Sequence, residues 1–113
     1  MKYALLLTAL LATSSQAVMV DGNYLHGQLK KQTDNNTSWG FTRGYVAGVV
    51  DANGGVAFCP PAPATLGQIT SMTEKYLDDN PAVRHISAEA IIVHMLKKVW
   101  PCADRVKGKE KNT

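Results

Sequence analysis

The amino-acid sequence predicts an all-α protein, a small bundle of about four helices closed by one disulfide. Apolar residues in the later part of the chain recur at intervals of three and four, which is the period of a helix that buries one face. Capping residues, glycines and prolines mark where these runs begin and end. The two cysteines of the chain, Cys59 and Cys102, can pair and leave no thiol over.

Residues 1–17 have the parts of a secretory signal peptide. Lys2 supplies the charge at the start, an apolar run follows at 4–12, and a polar stretch ends at Ala17, after which we expect cleavage. The apolar run is far shorter than the ~20 residues needed to cross a bilayer. We therefore expect an exported, periplasmic protein without membrane insertion.

Residues 18–102 are expected to form one domain and residues 103–113 a disordered basic tail. The tail carries more basic than acidic side chains, and only Ala103 and Val106 in it are apolar, so it has little to bury. In the whole chain, 12 Lys and Arg residues face 9 Asp and Glu residues. This small excess predicts no nucleic-acid partner.

The first two helices are predicted on either side of a polar turn. A short amphipathic helix from residue 21 to about residue 32 places Leu25 and Leu29 on one face. Ser38 can cap a second helix that runs from residue 39 to about residue 53 and stops at a pair of glycines. A strand at 41–50 is the alternative, because β-branched residues are frequent there, but the apolar positions do not alternate.

Glycines recur every four residues in the predicted second helix, at Gly40, Gly44 and Gly48. They lie on one side of that helix, and each costs about 1 kcal/mol relative to alanine. A second helix that packs very close along this side is the expected compensation. The sequence leaves open whether that helix comes from the same subunit or from a second one.

Two further helices follow an extended connector. Three prolines at 60–63 prevent a helix there. Thr65 and Gln68 have the spacing of a capping box and begin the third helix, which ends at Asn80 before a proline. Ser87 begins the fourth helix, which ends close to the second cysteine.

Cys59 and Cys102 are expected to form a structural disulfide, because an exported protein enters an oxidising compartment. Closing the loop between them should remove roughly 4 kcal/mol of unfolded-state entropy. A metal or redox site is the alternative for two cysteines, but the CxxC spacing typical of such sites is absent. The bond would tie the start of the third helix to the end of the fourth.

The sequence contains no motif of a known catalytic site, so we expect a protein that is not an enzyme and that binds no cofactor or metal. The three histidines, His26, His85 and His94, have no metal-binding or triad pattern around them. A zinc-protease motif, a nucleophile elbow and a phosphate-binding loop are all missing. His94 falls on the polar side of the fourth helix.

The most polar connection inside the disulfide-closed region is the candidate partner-binding site. It contains Asp78, Asp79 and Asn80 at the end of the third helix and Arg84 and His85 before the fourth. Polar loops on rigid supports are common binding sites. A solvated turn is the alternative interpretation.

Aromatic residues near the start of the second helix are compatible with two environments. Trp39, Phe41 and Tyr45 form either an exposed contact patch or part of the core.

Asp51, near the end of the same helix, is unfavourably placed relative to the helix dipole. We expect it to bond to a backbone group or to Arg43, or else to contact another protein.

An ordered set of segments runs through the domain: GYVAGVVDA at 44–52, CPP at 59–61, TLGQI at 65–69, YL at 76–77, NP at 80–81 and WPC at 100–102. Over about residues 38–102, this set resembles the Rap/Tai family of immunity proteins. The resemblance implies a periplasmic, all-α, usually homodimeric protein. It also implies a partner, a peptidoglycan amidase effector of a type VI secretion system, which the protein binds and inhibits.

The chain departs from the family pattern at one place. Members often have a further cysteine pair that links the first helix to the start of the Gly-Tyr-Val helix, whereas Thr42 and Arg43 stand near the expected position here. We therefore expect the first helix to be less secured. Two other functions stay open, a periplasmic acid-stress chaperone of the small helical type and an undiscovered enzyme.

Overall fold

The computed structural model describes residues 18–102 and confirms the all-α fold. The helices are α1 (Gly22–Lys31), α2 (Asn36–Asn53), α3 (Leu66–Asp79) and α4 (Ala88–Val99), with a short 3₁₀ helix (Pro81–Val83) between α3 and α4. The predicted signal peptide at 1–17 and the predicted tail at 103–113 lie outside the described residues. No helix within residues 18–102 is long and apolar enough to cross a membrane.

The four helices enclose one core, and every helix packs against each of the other three. Each contributes apolar side chains that are almost fully buried, among them Leu25, Val46, Leu77 and Ile92. The strand considered for residues 41–50 is wrong, because this segment lies inside α2. Its apolar residues point to the core at helical spacing, with Val46 and Val49 buried.

The start of α2 differs from the prediction by one helical turn. The side chain of Asn35 accepts hydrogen bonds from the backbone N–H groups of Thr37 (2.9 Å) and Ser38 (3.1 Å), so Asn35 is the cap and the helix begins at Asn36. Ser38, the predicted cap, is buried inside α2, and its hydroxyl donates to Gln28 Oε1 at 2.7 Å. At α3 the predicted cap is confirmed, since Thr65 Oγ1 accepts from the Gln68 backbone at 3.1 Å.

The start of α1 is anchored by backbone hydrogen bonds rather than by a second disulfide. The N–H groups of Gly22 and Asn23 donate to the carbonyls of Ile86 (2.9 Å) and Arg84 (2.7 Å). A Cβ atom at Gly22 would lie 2.7 Å from Ile91 Cδ1 and 2.8 Å from the Arg84 carbonyl, so only glycine allows this close approach. The first helix is thus held against the segment that precedes α4.

The predicted disulfide between Cys59 and Cys102 is confirmed, with the Cα atoms 5.0 Å apart. The Cys59 N–H also donates to the Trp100 carbonyl at 2.8 Å. Phe58, next to Cys59, is fully buried. The bond therefore fastens the connector between α2 and α3 to the end of α4 and closes one side of the core.

Candidate functional site

The predicted binding loop lies at the end of α3, and two of its residues are used to terminate that helix. Asn80 Nδ2 donates to the Tyr76 carbonyl at 2.8 Å, and Arg84 Nε donates to the Leu77 carbonyl at 2.7 Å. Arg84 Nη2 lies 3.3 Å from the Asp78 carbonyl. The last carbonyls of α3 thereby gain donors that the helix itself cannot supply, and a cation sits at its negative end.

Asp78, at the end of α3, forms an ion-pair network with α1. Its Oδ1 lies 2.7 Å from His26 Nε2 and 2.7 Å from Lys30 Nζ, and Lys30 also reaches Glu74 at 3.3 Å. The hydrogen bond from Lys30, followed by that with His26, lowers the pKa of the Asp78 carboxyl. The same bond raises the pKa of Lys30. Asp78 therefore joins α1 to α3.

Asp78, Asp79 and His85 are the exposed members of the predicted loop, and among them Asp78 is held by its ion pairs with α1. Asp79 pairs with Lys75 at 2.7 Å, one turn earlier on the solvent side of α3, and this hydrogen bond raises the pKa of Lys75. Exposed pairs of this kind are weak, so the Asp79 carboxylate can exchange its partner at little cost. His85 follows Arg84 directly and is exposed. Among the described residues, no ion pair or side-chain hydrogen bond ties Asp79 or His85 to another helix.

A small apolar pocket lies beside this loop, and the sequence analysis did not anticipate it. Its volume is about 380 Å³, and its walls are formed by Tyr76, Val83, Ile86, Ala90, Ile91 and His94. His94 is exposed. Val83 of the 3₁₀ helix forms part of the pocket wall, and no local sequence pattern predicts that this short helix lies next to α4.

The aromatic residues of α2 separate into a packed pair and an exposed one. The ring of Phe41 lies 5.5 Å from that of Tyr24 and 5.9 Å from that of Tyr45, in edge-on and stacked contacts. Trp39 instead keeps 50% of its surface exposed. The Arg43 guanidinium lies over the Trp39 ring, 4.8 Å from its centroid, and no ion pair within residues 18–102 joins it to Asp51.

Trp39 and Arg43 line a polar groove where the end of α1 and the first halves of α2 and α3 meet. We call it the Arg43 groove. Its volume is about 610 Å³, and its lining includes Gln32, Thr33, Trp39, Arg43, Thr70 and Ser71. The Nε atom of Arg43 is buried and has no hydrogen-bond partner within residues 18–102. The spacing of Trp39 and Arg43 in the sequence already places them on one face of α2. The opposite wall of the groove, on α3, comes close to them only in the folded chain.

The glycine side of α2 faces outward. Gly40, Gly44 and Gly48 are exposed, and apart from the adjacent residues and the backbone of α2 itself, a Cβ atom built at any of them has no atom of the described chain within 4 Å. The interpretation in which a helix of the same subunit packs there is therefore wrong for residues 18–102. The interpretation with a second subunit stays a prediction.

Within residues 18–102, no group of three or more His, Cys, Asp or Glu side chains is placed to hold a metal ion. The contact between His26 and Asp78 is a His–carboxylate pair, which in some enzymes orients the imidazole for proton transfer. Here the Asp78 carboxylate also binds Lys30, and its contact with His26 joins α3 to α1.

Comparison with known proteins identifies a family. The family model of the Rap1a immunity proteins matches residues 21–102, a range that includes all four helices, both cysteines, the loop at the end of α3 and the Arg43 groove. No curated protein and no solved structure matches the chain. The resemblance seen in the ordered segments is confirmed, and the chain belongs to the Rap1a family of immunity proteins.

Proposed function

We propose that the mature protein resides in the periplasm and there binds and inhibits a peptidoglycan amidase effector of a type VI secretion system. The observation that carries this proposal is the match to the Rap1a immunity family over residues 21–102. The predicted signal peptide supports export, and the Cys59–Cys102 bond suits an oxidising compartment.

Inhibition by coverage of a substrate cleft requires no catalytic group in the inhibitor. It requires a rigid surface, because a preorganised surface loses less conformational entropy on binding. The disulfide, the capped ends of α3 and the anchored start of α1 restrict the motion of the scaffold. These features support a protein that acts by contact.

The proposed contact surface is the loop from Asp78 to His85. Asp79 and His85 are exposed and would meet the effector directly, while Asp78, Asn80 and Arg84 hold the loop through the bonds described above. The adjacent apolar pocket can take an apolar side chain of the partner. A polar rim around an apolar centre is the usual composition of a protein interface.

A homodimer is the second part of the proposal. Exposed glycines at 40, 44 and 48 reduce the stability of α2, at about 1 kcal/mol each relative to alanine. They also allow another helix to approach the backbone closely, and this space is open in the described chain. Contact with the same face of a second copy would offset the cost of the glycines.

The direct test first asks whether a gene next to this one encodes a peptidoglycan amidase, and then measures the protection of cells in which that amidase is sent to the periplasm. Coexpression of this protein with its signal peptide should prevent lysis, and the purified mature protein should bind the amidase. The double variant Asp79→Ala/His85→Ala should weaken binding to the amidase. The double variant Lys97→Ala/Lys98→Ala, at exposed positions of α4, is the control. Lysis without binding would refute the assignment, and unchanged binding by the loop variant would refute the site alone.

A further inference from the structure

We infer that the Arg43 groove receives an acidic side chain, Asp or Glu, of the effector that this protein inhibits. The inference rests on the proposed function and adds a second contact to it, on α2 and α3 rather than on the loop at the end of α3. It is carried by the charge of Arg43, the burial of its Nε atom and its contact with Trp39.

Arg43 is a cation without a carboxylate partner in the described part of the chain. The ion pairs within residues 18–102 are made by His26, Lys30 and Lys75 with acidic residues of α3. The buried Nε–H of Arg43 has no acceptor there either. A buried donor without an acceptor is costly, and a hydrogen bond to a charged acceptor is among the stronger ones. Arg43 lines the groove, so a carboxylate there would supply an opposite charge to a guanidinium that has none nearby among the described residues.

The guanidinium of Arg43 stacks on an aromatic ring before a ligand arrives. Trp39 lies one turn before Arg43 on α2, and the stacked contact of 4.8 Å holds the guanidinium over the indole. On the other side, Arg43 Nη1 lies 3.5 Å from the point where a Cβ atom of Gly67 would stand. A planar guanidinium held in this way presents parallel N–H donors, which suit both oxygens of a carboxylate.

The lining of the groove selects one negative charge rather than a polyanion. Arg43 is the only charged side chain among the described residues that line it, and the others carry hydroxyl, amide or indole groups. Nucleic acids and anionic membranes bind surfaces with several cations, so neither matches this lining. Hydroxyl groups such as those of Thr33 and Ser71 can add hydrogen bonds to a single carboxylate.

A protein side chain is the fitting source of that carboxylate. Trp and Arg are the residue types most enriched among side chains that dominate protein interfaces, and Trp39 is half exposed at the edge of the groove. Its indole can cover the methylene groups of an Asp or Glu side chain while Arg43 binds the carboxylate. The groove thus offers an apolar and an ionic contact to the same side chain.

The experiment measures the dissociation constant of the oxidised mature protein for the amidase, with three variants. Arg43→Gln removes the charge, Arg43→Lys keeps the charge but not the planar donor pair, and Lys98→Gln removes one exposed charge from α4 as the control. We expect Arg43→Gln to weaken binding about tenfold or more and Arg43→Lys to weaken it less. The Lys98→Gln constant should stay within about twofold of wild type. Circular dichroism of each variant checks that the helices are retained.

Acidic surface residues of the amidase, changed one at a time to their amides, identify the partner side chain. One such change should weaken binding to the wild-type protein and, to a smaller extent, to Arg43→Lys, but not to Arg43→Gln, which is the coupling expected of a direct pair. If the wild-type protein binds the amidase and the Arg43 variants bind as Lys98→Gln does, the inference is overturned and the proposed function stands. If the wild-type protein does not bind, both are overturned.

Discussion

The carboxylate of Asp78 lies 2.7 Å from the imidazole of His26 and so joins the last turn of α3 to the middle of α1. These residues are 52 positions apart in the chain. Lys30, one turn after His26, binds the same carboxylate. In a protein without a second disulfide at its first helix, this network and the backbone bonds of Gly22 and Asn23 hold α1 in place.

Asp78→Asn should lower the thermal unfolding midpoint, because it removes the charge that His26 and Lys30 share. Asp79→Asn is the matched control, since Asp79 is adjacent but pairs only with Lys75 on its own helix. Thermal unfolding followed by circular dichroism measures both midpoints. Equal shifts in the two variants would contradict a role for Asp78 in joining the helices.

The stabilising effect of Asp78 should depend on pH in a defined way. Its pKa is lowered from 3.8 in the folded state, so its contribution is present above that value and is lost as the pH falls through the lower, folded pKa. The pKa of Lys30 is raised from 10.5, so its contribution is present below that value and is lost as the pH rises through the higher, folded pKa.

The difference in unfolding midpoint between wild type and Asp78→Asn should therefore shrink as the pH falls below the ordinary Asp pKa. A difference that grows on acidification would contradict this. The acid-stress chaperone considered from the sequence would have to gain client protection over the same acid range, which an aggregation assay at low and neutral pH measures.

The Cys59–Cys102 bond should contribute a large part of the stability of this small domain. Substitution of both cysteines by alanine should lower the free energy of unfolding by roughly 2 to 5 kcal/mol, because the unfolded chain regains the freedom that the bond removes. Denaturant unfolding measures the change. Mass spectrometry of wild-type protein purified without reductant should show two hydrogens fewer than the reduced chain, and free thiols would contradict the bond.

Gly44→Leu should separate assembly from folding. Apart from the adjacent residues and the backbone of α2 itself, no atom of the described chain lies within 4 Å of a Cβ atom at Gly44, so the larger side chain is accommodated in one subunit but would block a second helix. Gly27→Leu is the matched control, because Gly27 is a helical glycine of α1 with equally open surroundings. Light scattering should show a dimer for wild type and Gly27→Leu and a monomer for Gly44→Leu. A monomeric wild type would contradict the homodimer.

Helix ends were predictable where one local signal decided them. Thr65 is followed by Gln68 at capping spacing and has no competitor nearby, and the structure confirms it as the cap. At α2 two capping residues compete, Asn35 and Ser38. The choice depends on Gln28 of α1, which accepts the Ser38 hydroxyl, and such a tertiary contact leaves no mark in the local pattern.

The candidate surfaces were less predictable than the helices, because each combines residues from separate elements. The sequence placed Asp78 and Arg84 in a polar loop, but it did not show that they bind His26 of α1 and the Leu77 carbonyl of α3. The Arg43 groove was missed for the same reason. Trp39 and Arg43 are visible as a pair at helical spacing, whereas Thr70 and Ser71 come from another helix.

Inhibition of peptidoglycan hydrolysis tests the central claim most directly. A peptidoglycan amidase effector, sought among the products of the genes next to this one, is titrated with the oxidised mature protein, and release of cleaved peptide from purified peptidoglycan is measured. The account predicts that hydrolysis falls as the protein is added and stops once each amidase molecule is bound. Undiminished hydrolysis at a large excess of folded, disulfide-bonded protein would contradict the claim that this member of the Rap1a family inhibits that amidase.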